Sequence, residues 1–262
     1  MTWQRIRDGY MNQLVKWPES EVRRVLCLDL ACTESDLEQP GVVVVESRRL
    51  EGRRQFPFPP RNFGALSMGR GVVISCDASG LAWARETLGG MTRDEIFSSA
   101  TIALLDGFLR PQGQSLAGPM VSYLLDGPAP RRSRLPEGVA CELLSGEAIQ
   151  ELYDHKGFGN ALEYHTDGER PDVLACVGRI RGEIVGIAGV SGDNDTLWQV
   201  GVDVLEQHRN RGLGRALVAR VTRAVRRAGR IPYYTTGPSN IPSSALAVSV
   251  GYRPAWVTMF AR

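Results

Sequence analysis

Between Val202 and Arg230 the hydrophobic period of the chain changes once: an apolar, strand-like run ending in Val202-Asp203-Val204 gives way, across Gln207-His208-Arg209-Asn210-Arg211-Gly212-Leu213-Gly214-Arg215, to an amphipathic helix. Leu213, Leu217, Val221, Ala224 and Val225 recur at helical spacing, while Arg215, Arg223, Arg226 and Arg227 fall mostly elsewhere. Gly229 then ends the helix. A strand feeding through a tight glycine turn into a helix calls for a sheet with the helix packed on its face. The glycines let the backbone pass close to a ligand, and the helix start directs unpaired N–H groups and positive dipole at an anion. A pyrophosphate fits such a turn. A nucleotide P-loop needs Lys-Ser/Thr after its last glycine, where Arg215-Ala216 stand, and a dinucleotide turn needs a third glycine, where Leu217 stands. A plain glycine turn without a ligand stays open on the GxG alone.

The rest of the chain divides at Gly127-Pro128-Ala129-Pro130-Arg131-Arg132-Ser133-Arg134-Leu135-Pro136-Glu137-Gly138, which is rich in proline and charge and has no hydrophobic period. The expected organisation is an amino-terminal mixed α/β domain over 1–127, a linker over 128–138 and a second domain over 139–262. In the first half we expect helix near 3–35, a buried strand at Gly41–Val45 and a charged turn from Arg48 to Arg54. Phe56–Pro60 cannot be regular. A strand follows at Gly71–Cys76, then helix around Leu81–Leu88. A further helix opens on the capping box Thr92-x-x-Glu95, with Ile96, Ala100, Ala103, Leu104 and Leu109 on its apolar face. In the second half strands are expected at 139–144, 173–179, 183–190, 197–204, 232–236 and 255–261. Helices are expected from Glu147, Leu213 and Asn240, giving a partly splayed mixed sheet. No catalytic constellation is legible before the linker.

Arg-x-x-Gly-x-Gly preceded by Val202-Asp203-Val204 resembles the acetyl-CoA signature of the GNAT acyltransferase superfamily. Asn240 to Tyr252, an asparagine opening a short helix that ends in Gly251-Tyr252, resembles that superfamily's next block. The resemblance spans roughly residues 139 to 262; Ile231–Thr236 followed by Ser239-Asn240-Ile241 further resembles a bacterial subgroup of two-domain GNAT proteins. The fold class it implies is α/β, an α+β mixed sheet: a carboxy-terminal GNAT acyl-CoA N-acyltransferase fold with a smaller amino-terminal domain. The function it implies is transfer of an acetyl group from acetyl-CoA to a primary amine.

On that resemblance, amides from Arg209 through Asn210, Arg211, Gly212, Leu213 and Gly214 to Arg215 face the pyrophosphate, and the Arg209 and Arg211 side chains add charge. The edge of Val202, Asp203 and Val204 pairs with the pantetheine arm, and an amide there stabilises the oxyanion, typically ~3 kcal/mol for one donor. Asn240, with Ser243 beside it, holds the position that contacts pantetheine; a simple helix cap is an equal reading of Asn240. Many family members carry a tyrosine seven residues after the asparagine to protonate the leaving thiolate, but here Ala247 stands there. Tyr234 or Ser244 is the substitute acid. Glu163 is the candidate base, with His165 close by. Asp203 lies on the strand, where alternation turns its side chain aside, and His208 faces solvent. Trp198 and Trp256 read as packing.

A net charge of +2 argues against a chain built to hold nucleic acid, although all basic residues except Lys16 and Lys156 are arginines. Five scattered cysteines without nearby histidines read as reduced core residues and give no metal site. Without an apolar leader or a membrane-length apolar run, a cytoplasmic protein is expected. The expected partners are acetyl-CoA as co-substrate and a small-molecule or peptide amine acceptor, with no nucleic acid and no membrane; a homodimer is compatible. The alternative function is a catalytically silent acyl-CoA sensor or partner-binding module, motivated by Ala247.

Overall fold

The computed structural model describes residues 19–55, 63–125, 127–131 and 133–262. Residues 3–18 of the helix expected near 3–35, and the irregular Phe56–Pro60, lie outside the described residues.

All described strands join one mixed sheet: β1 (Gly41–Glu46), β2 (Phe63–Ser67), β3 (Gly71–Cys76), β4 (Leu116–Leu125), β5 (Ala140–Ser145), β6 (Asp172–Ile180), β7 (Glu183–Gly192), β8 (Leu197–Val204), β9 (Ile231–Thr236) and β10 (Tyr252–Ala261). Their order is β1-β3-β2-β10-β4-β9-β8-β7-β6-β5. β5 to β8 form an antiparallel meander. β8 pairs with β9 in parallel through a helical crossover, as parallel neighbours must. The sheet also runs across the linker. β4, from before it, lies between β9 and β10, antiparallel to both, and β10 continues onto β2.

The seven described α-helices are α1 (Glu19–Leu30), α2 (Glu34–Glu38), α3 (Leu81–Leu88), α4 (Arg93–Ile96), α5 (Ser99–Leu109), α6 (Leu213–Arg227) and α7 (Ile241–Val250). Leu213, Leu217, Val218, Val221 and Val225 of α6 pack with Ala247 and Val250 of α7 on Val200, Tyr234, Tyr123 and Leu125. On another part of the sheet, Val22, Val25, Leu26 and Leu30 of α1 bury Leu197, Ile231, Tyr233 and Trp256 together with Leu66 and Val73. One helix of the first half thus covers strands of both halves. Burying a residue such as Leu26 completely contributes roughly 1.5–3 kcal/mol.

Three expectations change. The Gly41–Val45 run is a half-buried edge strand rather than a buried one. It is apolar throughout because Val43 and Val45 meet the α1 cluster while Val42 and Val44 meet the α3–α5 cluster. The capping box at Thr92 forms, but its helix ends after Ile96, and Ser98 caps a second helix by accepting from the Thr101 N–H. That restart rotates the face: Thr101, Leu105 and Leu109 are buried, whereas Ala100, Ala103 and Leu104 are exposed. The helix expected from Glu147 is a 3₁₀ segment over Gly146–Leu152.

Candidate functional site

β8 runs to Val204, but its pairing with β9 stops at Val200 opposite Tyr234. Beyond that point the parallel strands part, leaving the β9 side of Gly201–Val204 outside the ladder, while the other side keeps its register with β7 as far as Val204 with Gly186. Unpaired strand backbone is a template for an extended, amide-bearing ligand. Part of it is already taken: Arg209 turns back, and its Nε donates to the Val204 carbonyl at 2.9 Å. The open edge therefore centres on Val202 and Asp203. The Arg209 guanidinium, expected to face an anion, is tethered to the strand by this bond.

After β8, a 3₁₀ turn over Glu206–His208 leads into the glycine turn. Asn210 and Gly212 both have positive φ, +60° and +80°. Gly212 is the α6 N-cap and has no side-chain cap, so the first amides of α6, at Leu213, Gly214 and Arg215, point outward without intrahelical partners. Arg209, Asn210, Arg211, Gly212 and Arg215 are exposed. With no acid in the first turn of α6 and arginines around it, the field at this turn is positive. The two glycines have separate causes. Gly212 needs its left-handed backbone, whereas a Cβ on Gly214 would come within 2.8 Å of Leu246 Cδ1, so Gly214 lets α6 approach α7. His208 is half-buried and lines a cleft of about 200 Å³ with Arg211, Leu213, Val139 and Ile180.

The start of α7 faces this opening. Asn240 caps it, its Oδ1 accepting from the Ser243 N–H at 3.2 Å, with Pro242 in the first turn. Ser243 Oγ lies 2.7 Å from Tyr234 OH, and Tyr123 OH donates to Ser244 Oγ at 3.1 Å. Tyr123 and Tyr234 are directly opposite each other across the β4–β9 pair, so both hydroxyls reach one helix end. Burial raises the Tyr234 hydroxyl above the ordinary tyrosine range, against the pull of Ser243, and keeps it protonated at neutral pH. Ala247 is fully buried in the core and offers no acid. Tyr123 was not legible as a candidate, because β4 was not.

The segment 158–166 lies across the other face of β7 and β8. Gly189 and Gly201 are register partners, and a Cβ on either would fall 1.7 Å from the Ala161 carbonyl oxygen or 1.8 Å from that of Asn160. The segment's backbone therefore rests directly on these two glycines. Asp203 fixes it there, accepting from the Asn160 N–H at 2.8 Å, the Asn160 Nδ2 at 2.7 Å and the Ala161 N–H at 3.2 Å. Its carboxylate is thus structural. Further along, Asp172 accepts from the Glu163 and Tyr164 N–H groups at 2.9 Å each and from Tyr153 OH at 3.1 Å.

Glu163 sits beside Arg170, 2.5 Å from its Nη1. Arg170 also bonds Asp193 at 2.9 Å and Gln199 at 3.2 Å, and the fully buried Asp193 accepts from Tyr233 OH. Burial raises the Glu163 carboxyl, partly opposed by Arg170. His165 stays within electrostatic reach of Glu163, while its Nδ1 lies 2.8 Å from the Asp167 carbonyl oxygen. The segment Arg48 to Arg54, expected as a charged turn, ends in buried Arg53 and Arg54. Arg54 Nε and N–H both donate to Asp29 at 2.7 Å, and its guanidinium lies over the rings of Tyr233 and Trp256 at 5.1 and 5.3 Å. Sequence reasoning missed this centre, whose acids and arginines are far apart in the chain.

The mixed sheet thus presents a splayed parallel pair with an uncapped glycine turn at its mouth. Residues 181–261, the stretch that carries β7 to β10, match a family model described as FR47-like protein. No curated protein matches. Among solved structures, the chain is similar to a GNAT-family acetyltransferase of Novosphingobium aromaticivorans, with 23% identity, TM-score 0.42, and 57% of this chain and 66% of that one covered. It is similar to a GCN5-related N-acetyltransferase-like protein of Streptococcus suis at 18% identity, TM-score 0.45, covering 63% and 69%. A GCN5-related N-acetyltransferase of Kribbella flavida shows 19% identity, TM-score 0.44, and 71% and 76% coverage. No helix among the described residues is long and apolar enough to cross a membrane.

Proposed function

We propose that the protein is an N-acetyltransferase that moves an acetyl group from acetyl-CoA to a primary amine. The observation that carries this reading is the end of the β8–β9 ladder at Val200 and Tyr234, which opens a strand edge leading into an uncapped, arginine-rich helix start. That pairing of features suits a substrate with an amide-bearing arm and a pyrophosphate. The amides of Gly212 to Arg215, with Arg211 and Arg215, hold the anion; the Val202–Asp203 backbone orients the arm and supplies an oxyanion donor. Acetyl-CoA brings an activated acyl carbon to that edge.

Glu163 takes the proton from the attacking amine, directly or through water. Tyr234, protonated and hydrogen-bonded to Ser243, returns one to the departing thiolate, with Tyr123 and Ser244 continuing the hydroxyl group at the helix end. Asn240 serves as the cap of α7, and an additional contact to the arm is compatible with that bond.

The competing reading, a silent acyl-CoA-binding module, draws support from buried Ala247 and from the structural use of Asp203. Release of free thiol from acetyl-CoA across a panel of primary amines separates the two. Amine-dependent release that falls in Tyr234→Phe supports the enzyme; binding of acetyl-CoA without release from any amine supports the silent module.

A further inference from the structure

Arg53 is 5% exposed, and its Nε and Nη2 have no hydrogen-bond partner among the described residues. Those two nitrogens form the side-on fork of the guanidinium, the geometry that grips two oxygens of a carboxylate or phosphate. The acids within electrostatic reach are Asp29 and Glu169. Both are committed elsewhere, Asp29 to Arg54 and Glu169 to Arg49. Two residues on, the Gln55 side-chain oxygen is also buried and has no partner among the described residues. A buried cation whose neighbouring acids are paired with other arginines is costly to keep, and such a fork beside an unfilled acceptor suits an anionic ligand.

The main chain fixes where these groups stand. The Gln55 N–H donates to the Asp193 carbonyl at 2.9 Å, and Asn194 Nδ2 donates to the Gly52 carbonyl at 2.8 Å. The segment 52–55 is therefore pinned to the β7–β8 turn. The Asp193 side chain holds Arg170, and Arg170 holds both Glu163 and Gln199, two residues before the splay at Gly201. The segment that carries the fork and the candidate base are thus both anchored at the β7–β8 turn, the first through its main chain and the second through Arg170 and the Asp193 side chain.

We propose that Arg53, with Gln55, forms the acceptor's recognition subsite and selects an amine that also carries an anionic group, carboxylate or phosphate. This rests on the acetyltransferase reading. The fork binds the anion and Gln55 accepts from a neighbouring N–H or O–H of the same molecule, placing the amine toward Glu163.

The test compares thiol release from acetyl-CoA with glycine, L-alanine, β-alanine and O-phosphoethanolamine against glycinamide, L-alaninamide, β-alaninamide and ethanolamine. We expect the anionic members to be preferred by about tenfold to a hundredfold in kcat/KM, the worth of a charge-assisted bidentate contact. Within that set, the carboxylate and phosphate members tell which anion is used. Arg53→Gln should abolish the preference while acetyl-CoA affinity and melting temperature stay at or above wild type; Arg53→Lys, which keeps charge without the fork, should retain only part of it. Equal turnover of both sets, a preference that survives Arg53→Gln, or a melting temperature lowered by that substitution would each overturn the proposal. If the wild type fails to bind acetyl-CoA, the acetyltransferase reading falls by itself. The fork is then judged by the Arg53 Nε–H NMR signal, assigned by its loss in Arg53→Lys: a shift on titrating glycine or inorganic phosphate but not glycinamide supports it, and no shift refutes it.

Discussion

The carboxylate of Asp203 grips Asn160 by both its backbone N–H and its side-chain amide, 43 residues away in sequence. The strand whose far edge leaves the β9 ladder thus also fixes the segment covering the opposite face. Asp203→Ala removes three hydrogen bonds to a charged acceptor, and a loss of about 2–4 kcal/mol in denaturant unfolding is expected, given ~1.5–3 for one such bond and non-additivity. Asp203→Asn, which keeps one acceptor oxygen, should cost less.

The glycines of this contact differ in kind from those of the turn. Gly201→Ala or Gly189→Ala drives a methyl into a backbone oxygen at 1.8 or 1.7 Å, and backbone cannot step aside cheaply. About 3 kcal/mol or more of destabilisation is expected. Gly212→Ala meets open space and has only its +80° φ against it, so about 1–2 kcal/mol. Urea midpoints of the variants, compared at constant m-value, give this ranking directly.

Asp29 and Arg54 are buried together, with side chains 1% and 3% exposed. Their pair joins α1 to a segment that rests on Tyr233 and Trp256. Arg54→Ala strands the Asp29 carboxylate and should cost about 3–5 kcal/mol, whereas replacing both by Leu and Met should cost much less than the sum. A double-mutant cycle by thermal unfolding measures the coupling.

Glu163 gives the pH dependence. Burial raises its carboxyl above the ordinary glutamate range although Arg170 opposes the shift. With the folded value above the unfolded one, its stabilising contribution is complete below the ordinary glutamate pKa and is lost as the pH rises through the raised value. Glu163→Gln should flatten the stability curve in that interval. Acting as a base, Glu163 must be ionised, so activity falls as the pH drops through the same raised value; Glu163→Gln should remove that limb and lower kcat by about 10²–10⁴-fold.

The strands from β5 to β10, α6 and the glycine turn were legible because their apolar spacing and glycines are local signals. β4 was not. Gly118 and Pro119 interrupt its pattern, and proline argues against a central strand; β10 accommodates them with a register shift between Thr258 and Phe260. Losing β4 hid Tyr123 and the sheet's passage across the linker. The roles of Arg54, Arg170, Asp172 and Asp193 were equally out of reach, since each depends on partners 8 to 40 residues away. Alternation did show that Asp203 points aside, but not that it holds Asn160.

The opening between β8 and β9 and the turn at its mouth carry the acetyltransferase reading. Calorimetric titration of acetyl-CoA into the wild type and into Gly212→Glu, which puts a carboxylate at the exposed turn, tests it most directly. Binding at about micromolar affinity, lost in the variant, is the predicted result, a difference of several kcal/mol. No binding to the wild type, or equal binding to both proteins, would contradict it.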